Sequence, residues 1–383
     1  MTPRAVVVAV LGTTQTLAWG SSYYLPAMLA TPIAAELGLP RSVFFALFSA
    51  SLLLTAVLGP AAGRAIDRHG GRGVLALSNL VLAFGLVLLG LAQGSLLLGL
   101  AWAVLGLGMT LGLYDAAFAT LAGLYGKDAR SAITGITLIA GFASTVGWPT
   151  TALMEAEWGW RGACLGWAAL HLVLGLPLNR LMLPPAPPPP KPAATASSGA
   201  ARVGTTERRA TVIVAFVLGV AGFGASALGA HLLALLQATG VSAAAAVTAG
   251  ALLGPAQVGA RILEFGFLRR THPVVAARIA ASLHPLGVAL LFLLGGPAAA
   301  PFVLLHGAGN GMLTITRGTL PLALFGPVGY GRRQGVITAP ARVAGALAPL
   351  AFGLLVDWAG GQALWLTAGL SVLAVAALFA LRR

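Results

Sequence analysis

Five ionisable side chains sit inside long apolar stretches of this 383-residue chain: Asp115, Arg261, Glu264, Arg317 and Arg342. A charge at such a depth is costly, so each is a functional candidate. Arginine says most, because its guanidinium stays protonated and grips a carboxylate or other oxyanion through two parallel hydrogen bonds. Arg261 is therefore a candidate anion receptor, unless it pairs with Glu264 one helical turn away. Asp115 has the sign to bridge Arg317 and Arg342 in one conformation and release them in another. A permanent pairing, along one helix or with a lipid headgroup, would use the same residues. Polar and aromatic groups gather at Gln15-Thr-Leu-Ala-Trp19-Gly-Ser-Ser-Tyr23-Tyr24. Helical spacing puts Gln15, Trp19 and Ser22 on one face. With Tyr23 they would line a cavity with hydrogen bonds and an aromatic wall, or else anchor a helix at a membrane interface. His306 and Asn310 share a face, with Arg317 two turns further on. The histidine either relays a proton or donates to a backbone carbonyl.

None of this resembles the machinery of covalent catalysis. The chain has no G-x-S-x-G, no phosphate-cradling Walker loop and no H-E-x-x-H, and too few acids and histidines for a metal site. Its single cysteine, Cys164, excludes an internal disulfide and a thiolate cluster. No enzymatic activity and no cofactor are expected, and ATP-driven pumping would need a separate subunit.

The elements that must position these groups follow from composition. Hydrophobic residues make up 58% and charged residues 8% of the chain, against roughly 25% charged in soluble domains. Such a chain cannot cover a water-facing surface, so it is an integral membrane protein in contact with lipid. The net charge of +14 contains no basic run that could follow a phosphate backbone, and nucleic acid is not an expected partner. A bilayer core of ~30 Å takes about 20 apolar residues per helix. On that measure twelve spans are predicted: 5–30, 42–62, 74–93, 96–121, 132–154, 162–181, then 211–237, 243–267, 274–294, 301–324, 336–356 and 363–381. Helices are preferred to barrel strands because the runs are long and lack alternation. The apolar start runs past Tyr24 without a small-residue cleavage site, and reads as the first span rather than a removable signal.

Between the sixth and seventh spans, Pro184-Pro185-Ala186-Pro187-Pro188-Pro189-Pro190-Lys191-Pro192 must be extended, and a small, polar segment follows it. This divides the chain into an amino-terminal bundle of six helices (1–183), a linker (184–210) and a carboxy-terminal bundle of six (211–383). Lysine and arginine fall almost wholly on one side: Arg4, the 64–72 turn, Lys127, Arg130, the linker, Arg269, Arg270, Arg278, Arg332, Arg333 and the end of the chain. The other side has only Arg41 and Arg161. Positive loops stay inside, so both termini and the linker are expected in the cytoplasm. The bundles also echo one another. Ala132-Ile-Thr-Gly-Ile-Thr-Leu-Ile-Ala-Gly141 in span 5 matches Val336-Ile-Thr-Ala-Pro-Ala-Arg-Val-Ala-Gly345 in span 11, as expected of a duplicated transporter with its site between the halves.

The turn between spans 2 and 3 reads Gly63-Arg-Ala-Ile-Asp67-Arg68-His-Gly70-Gly-Arg72. This G-x-x-x-D-R-x-G-x-R spacing resembles the loop between helices 2 and 3 of the major facilitator superfamily (MFS) of secondary transporters. Trp158-Gly-Trp160-Arg161 resembles the G-W-R turn common in that superfamily. The resemblance implies an all-α membrane protein of two pseudo-symmetric six-helix bundles, working by alternating access as a symporter or antiporter. An arginine in span 8 is similar to the pattern of its monocarboxylate and oxalate–formate carriers, which implies that Arg261 holds an anion. Span 1 lines the cavity in the superfamily. Where many proton-driven members carry an arginine in span 4, this chain has Trp102-Ala-Val-Leu-Gly106-Leu-Gly108, so the resemblance does not extend to that style of coupling.

The expected function is secondary transport of a small organic anion or other oxygen-rich metabolite across a bacterial-type inner membrane, with a coupling proton as a further partner and a monomer as the working unit. Efflux of drugs or toxic compounds, and a non-transporting sensor built on the same frame, are the alternatives. Arg261, Arg317, Gln15, Trp19, Tyr23, Asn310 and His306 are assigned to the substrate. Gly63, Asp67, Arg68, Gly70, Arg72, Asp128, Asp115 and Arg342 are assigned to gating. In that scheme Asp67 faces the positive end of span 11, Arg68 and Arg72 reach Asp128, and the turn latches the outward-open state.

Overall fold

In the computed structural model, residues 3–125, 129–185, 205–264, 271–325 and 330–381 are described, and among them no strand occurs. The amino-terminal half comprises α1 (Arg4–Ala18), α2 (Leu25–Glu36), α3 (Arg41–His69), α4 (Gly71–Gly90), α5 (Ser95–Gly112), α6 (Tyr114–Tyr125), α7 (Ala129–Ala140) and α8 (Ala143–Leu170). The carboxy-terminal half comprises α9 (Thr205–Ala238), α10 (Ala243–Ala251), α11 (Leu253–Leu263), α12 (Pro273–Leu294), α13 (Ala299–Phe325), α14 (Tyr330–Ala359) and α15 (Leu364–Phe379). Among the described residues, 9 stretches are long and apolar enough to cross a membrane.

Two of those stretches contain a reversal. Gly159, at φ 67°, interrupts α8 in the left-handed region that glycine adopts without cost. The chain doubles back there, because Trp167 Nε1 donates to Thr151 Oγ1 at 3.0 Å, a pair that a straight helix would hold about 24 Å apart. Gly360, at φ 55°, ends α14 in the same way ahead of α15. The amino-terminal pair α1–α2, which is broken in its middle, provides one more passage. The architecture is consistent with the twelve expected spans.

The charged turn at 63–72 is tighter than its sequence implies. Helix α3 continues through Gly63 to His69, and the reversal is confined to Gly70 at φ 78°. Gly71 then opens α4 so close to Thr120 of α6 that any side chain there would collide with it. The seventh passage likewise begins earlier than expected, since α9 is helical from Thr205.

Two large cores lie mainly in one half each, although Ala230 and Ala346 join the first and Trp148 joins the second. Leu29, Phe44, Phe48, Leu86, Trp102 and Trp167 are buried together in the first, and Leu228, Leu232, Val288, Phe302 and Phe352 in the second. Between the halves, α3 and α14 meet at the end away from the termini. There Arg41 pairs with Asp357 at 3.4 Å, Phe45 lies on His231 with ring centroids 4.1 Å apart, and Leu350 N donates to Ser49 Oγ at 3.1 Å. Towards the termini, Val57 of α3 is 73% exposed, and Gly59 and Gly63 have no neighbour within 4 Å of a built Cβ.

Candidate functional site

Helix breaks build the site. Between α1 and α2 the backbone widens into a single π turn, Trp19–Tyr23, with Tyr24 N donating back five residues to Trp19 O at 3.0 Å. The cause is local. Ser22 Oγ donates to Ala18 O at 2.6 Å and competes with the backbone there, while Pro26 has no N–H to offer Ser22. Such π turns occur often at functional positions. This one swings Trp19, Tyr23 and Tyr24 into a cluster with Tyr114 and Trp148. Ring centroids lie 4.9 Å apart for Trp19 and Tyr23, 5.0 Å for Trp19 and Tyr114, and 5.6 Å for Tyr24 and Trp148. Tyr114 stacks in turn on Phe118 at 5.2 Å.

The break between α5 and α6, at Leu113, places Tyr114 and Asp115 at a helix start. It also leaves the Gly112 carbonyl without its helical donor, because Ala116 N turns to Leu113 O at 3.0 Å. Gln15 takes up that carbonyl through Nε2. The break between α10 and α11 works in the same way. Pro255 cannot donate to Ala251 O, and Thr145 Oγ1 from the other half donates to it instead at 2.7 Å.

Arg261 stands on α11 beside this break and is 7% exposed. Its Nη1 donates to the Thr137 carbonyl of α7 at 2.7 Å, and its Nε to the Gly311 carbonyl of α13 at 3.4 Å. The guanidinium therefore ties the two halves together. Among the described residues, three of its five N–H donors have no protein acceptor. The ion pairs among the described residues are Arg41–Asp357 and Arg161–Glu36, so Arg261 is in direct contact with no carboxylate among them. The expected alternative pairing with Glu264 is not formed. Glu264 lies within electrostatic reach, and its Oε2 is buried without a partner. Tyr24 and Tyr114 lie within the same reach, which places the cation at the edge of the aromatic cluster.

The other expected residues are distributed as follows. Gln15 and Trp19 are on the aromatic side, and Gln15 Oε1 and Trp19 Nε1 are both buried without a hydrogen-bond partner. Tyr23 packs on Phe48 at 6.1 Å and against Gly229 of α9. His306 and Asn310 lie elsewhere, on a pocket inside the carboxy-terminal half formed by α9, α12, α13 and α15. Asp115, Arg317 and Arg342 are exposed, and Asp115 forms no ion pair with either arginine among the described residues. In the turn, Arg68 is exposed and Arg72 half-buried. The Asp67 side chain and Asp128 lie outside the described residues.

Sequence reasoning missed Tyr114, Trp148, Thr137 and Thr145. Tyr114 is the one with a legible signal, next to the candidate Asp115. A backbone carbonyl such as that of Thr137 leaves no trace in residue type.

Comparison with known proteins agrees with this architecture. A family profile described as the Major Facilitator Superfamily matches residues 11–326. A bacterial homolog of the human lysosomal transporter Spinster, solved in an inward-facing and occupied conformation, superposes with TM-score 0.74 at 16% identity, over 98% of this chain and 96% of that one. The D323A mutant of the nucleoside transporter NupG superposes with TM-score 0.77 at 15% identity, over 99% of each chain. At these identities the likeness is one of fold. No curated protein matches the chain.

Proposed function

We infer that this chain, which belongs to the Major Facilitator Superfamily and is an integral membrane transporter, carries a small organic anion by alternating access, with Arg261 as the receptor. One observation supports the reading: a buried guanidinium with no carboxylate in direct contact among the described residues bridges the two halves beside an aromatic wall. Burying an unpaired charge costs several kcal/mol, so its presence calls for a ligand of opposite sign. The positive-inside distribution of lysine and arginine supports a bacterial-type inner membrane and cytoplasmic termini. The chain would act as a monomer.

The arrangement supports a simple coupling step. An anion entering the cleft meets the unoccupied N–H groups of Arg261 and competes for Nη1, drawing the guanidinium from the Thr137 carbonyl. With that tie loosened, the halves rock about the contact of α7–α8 with α10–α11. In the opposite state Asp115 would bridge Arg317 and Arg342, and the 63–72 turn would latch.

The aromatic wall favours a second reading, in which the solute is bulkier and leaves the cell. NupG is a nucleoside transporter by name, and the same wall would accept a base. Counterflow in proteoliposomes with lactate, benzoate, sulfate, uridine, glucose and an amphiphilic dye separates these readings. Exchange of the carboxylates, with loss in Arg261→Gln, is expected. Exchange of uridine or the dye alone would overturn the anion reading, and flux of none would favour a sensor.

A further inference from the structure

His306 is not a lone histidine. Its Nδ1 lies 3.1 Å from Nδ1 of His284 on α12, and the rings meet edge to face at 4.9 Å. Two nitrogens at that distance cannot both carry a hydrogen, so at least one ring is neutral. The surrounding bonds say which nitrogen is bare. With the only hydrogen of Thr367 Oγ1 directed to Leu364 O at 2.9 Å, the hydroxyl accepts from His284 Nε2, also at 2.9 Å; the assignment rests on that choice of hydroxyl rotor. With both rings neutral, His284 then carries its hydrogen on Nε2 and presents a bare Nδ1. His306 must donate through Nδ1, which leaves its own Nε2 bare. That atom has no protein partner, although His306 is only 6% exposed.

His284 and His306 both line the pocket between α9, α12, α13 and α15, together with Asn310 and Ser371, and its volume is about 40 Å³. One ordered water needs roughly 10–15 Å³ on this measure, so water can reach the pair. No charged side chain lines the pocket. On the surrounding helices, Arg278 of α12 donates to the Leu378 carbonyl, Arg317 lies three turns along α13, and His231 of α9 bonds to the Pro349 carbonyl. On α11, which packs against α13, Arg261 and Glu264 belong to the site already described. α15 contributes only hydroxyl groups to the pair.

We propose that His284 and His306 form a single proton-binding site, loaded at His306 Nε2 from the pocket, that couples proton movement to transport. The step balances simply. A water-borne proton adds to the lone pair of His306 Nε2, and the positive charge is shared through the Nδ1–H···Nδ1 bond. No other group changes. Because the pair has no carboxylate beside it, the protonated form is costly while the pocket stays closed and dry. The proton is therefore held only while water fills the pocket. The coupling role rests on the transport reading, whereas the proton site does not.

Nitrogen NMR of the purified full chain, labelled at histidine, tests the site without any solute. His306 should show a bare Nε2 and a hydrogen on Nδ1, and His284→Asn should shift the His306 titration. Hydrogen on His306 Nε2, or a titration indifferent to His284, would overturn the proposal. In proteoliposomes, with lactate or benzoate as the solute, His306→Gln should lose at least tenfold of the accumulation driven by a pH gradient, with melting curves to confirm folding. Undiminished gradient-driven accumulation would overturn the coupling role. If neither carboxylate exchanges in the unmodified protein, the anion reading fails and the NMR result decides the proton site alone.

Discussion

The guanidinium of Arg261, in the carboxy-terminal half, donates across 2.7 Å to the backbone carbonyl of Thr137 in the amino-terminal half. A charged hydrogen bond between the moving bodies makes the receptor part of the mechanical link, so binding and rocking share one group. Hydrogen bonds to charged groups are worth about 1.5–3 kcal/mol. Arg261→Gln is therefore expected to weaken apparent affinity for a transported anion by roughly 10- to 150-fold. Arg261→Lys keeps the charge without the fork and should fall between. The concentration dependence of counterflow measures both, with melting curves to confirm folding.

Gly20 and Gly147 let the π turn lie directly on α8. A Cβ built at Gly147 would sit 2.9 Å from Gly20 Cα, and backbone has nowhere to retreat. Gly147→Val should cost about 1–3 kcal/mol by overpacking and disturb the aromatic cluster. Thermal unfolding in detergent checks the first effect. Fluorescence of the tryptophans, Trp19 and Trp148 among them, checks the second.

Beyond the spans, at the end away from the termini, Trp160 Nε1 donates to Glu36 Oε2 at 2.6 Å, and Arg161 pairs with Oε1 at 2.9 Å. The indole hydrogen bond, followed by Arg161, holds the Glu36 carboxyl below the usual carboxylate range. A depressed folded value stabilises the protein above the unfolded value of about 4.3 and loses that contribution as the pH falls through the folded value. The difference in melting temperature between the parent and Glu36→Gln should be present at pH 7 and shrink below about pH 4. A difference that is constant with pH would contradict it.

Asp67→Asn should impair flux while the protein still inserts and melts normally. The expectation comes from the charge pattern of the 63–72 turn. Flux equal to the parent would remove the turn from the gating scheme.

Length and hydropathy were enough to determine an all-helical membrane chain. A bilayer permits few solutions, and every backbone group must be satisfied within its own helix. The 63–72 spacing and the buried arginine at 261 were equally legible, because a charge in an apolar run stands out whatever surrounds it. What could not be read was the partner across the gap. Arg261 meets a carbonyl of Thr137, Gln15 meets one freed at Gly112, and His306 meets His284, 22 residues away on another helix. Even the extent of the turn was misjudged, since helical hydrogen bonds carried α3 through its polar residues to Gly70. The sequence by itself determined which groups would be costly to bury. Tertiary structure decided which of them would meet, because helix breaks and close glycine contacts set the rotation and spacing of neighbouring helices, and that geometry depends on residues far apart in the chain.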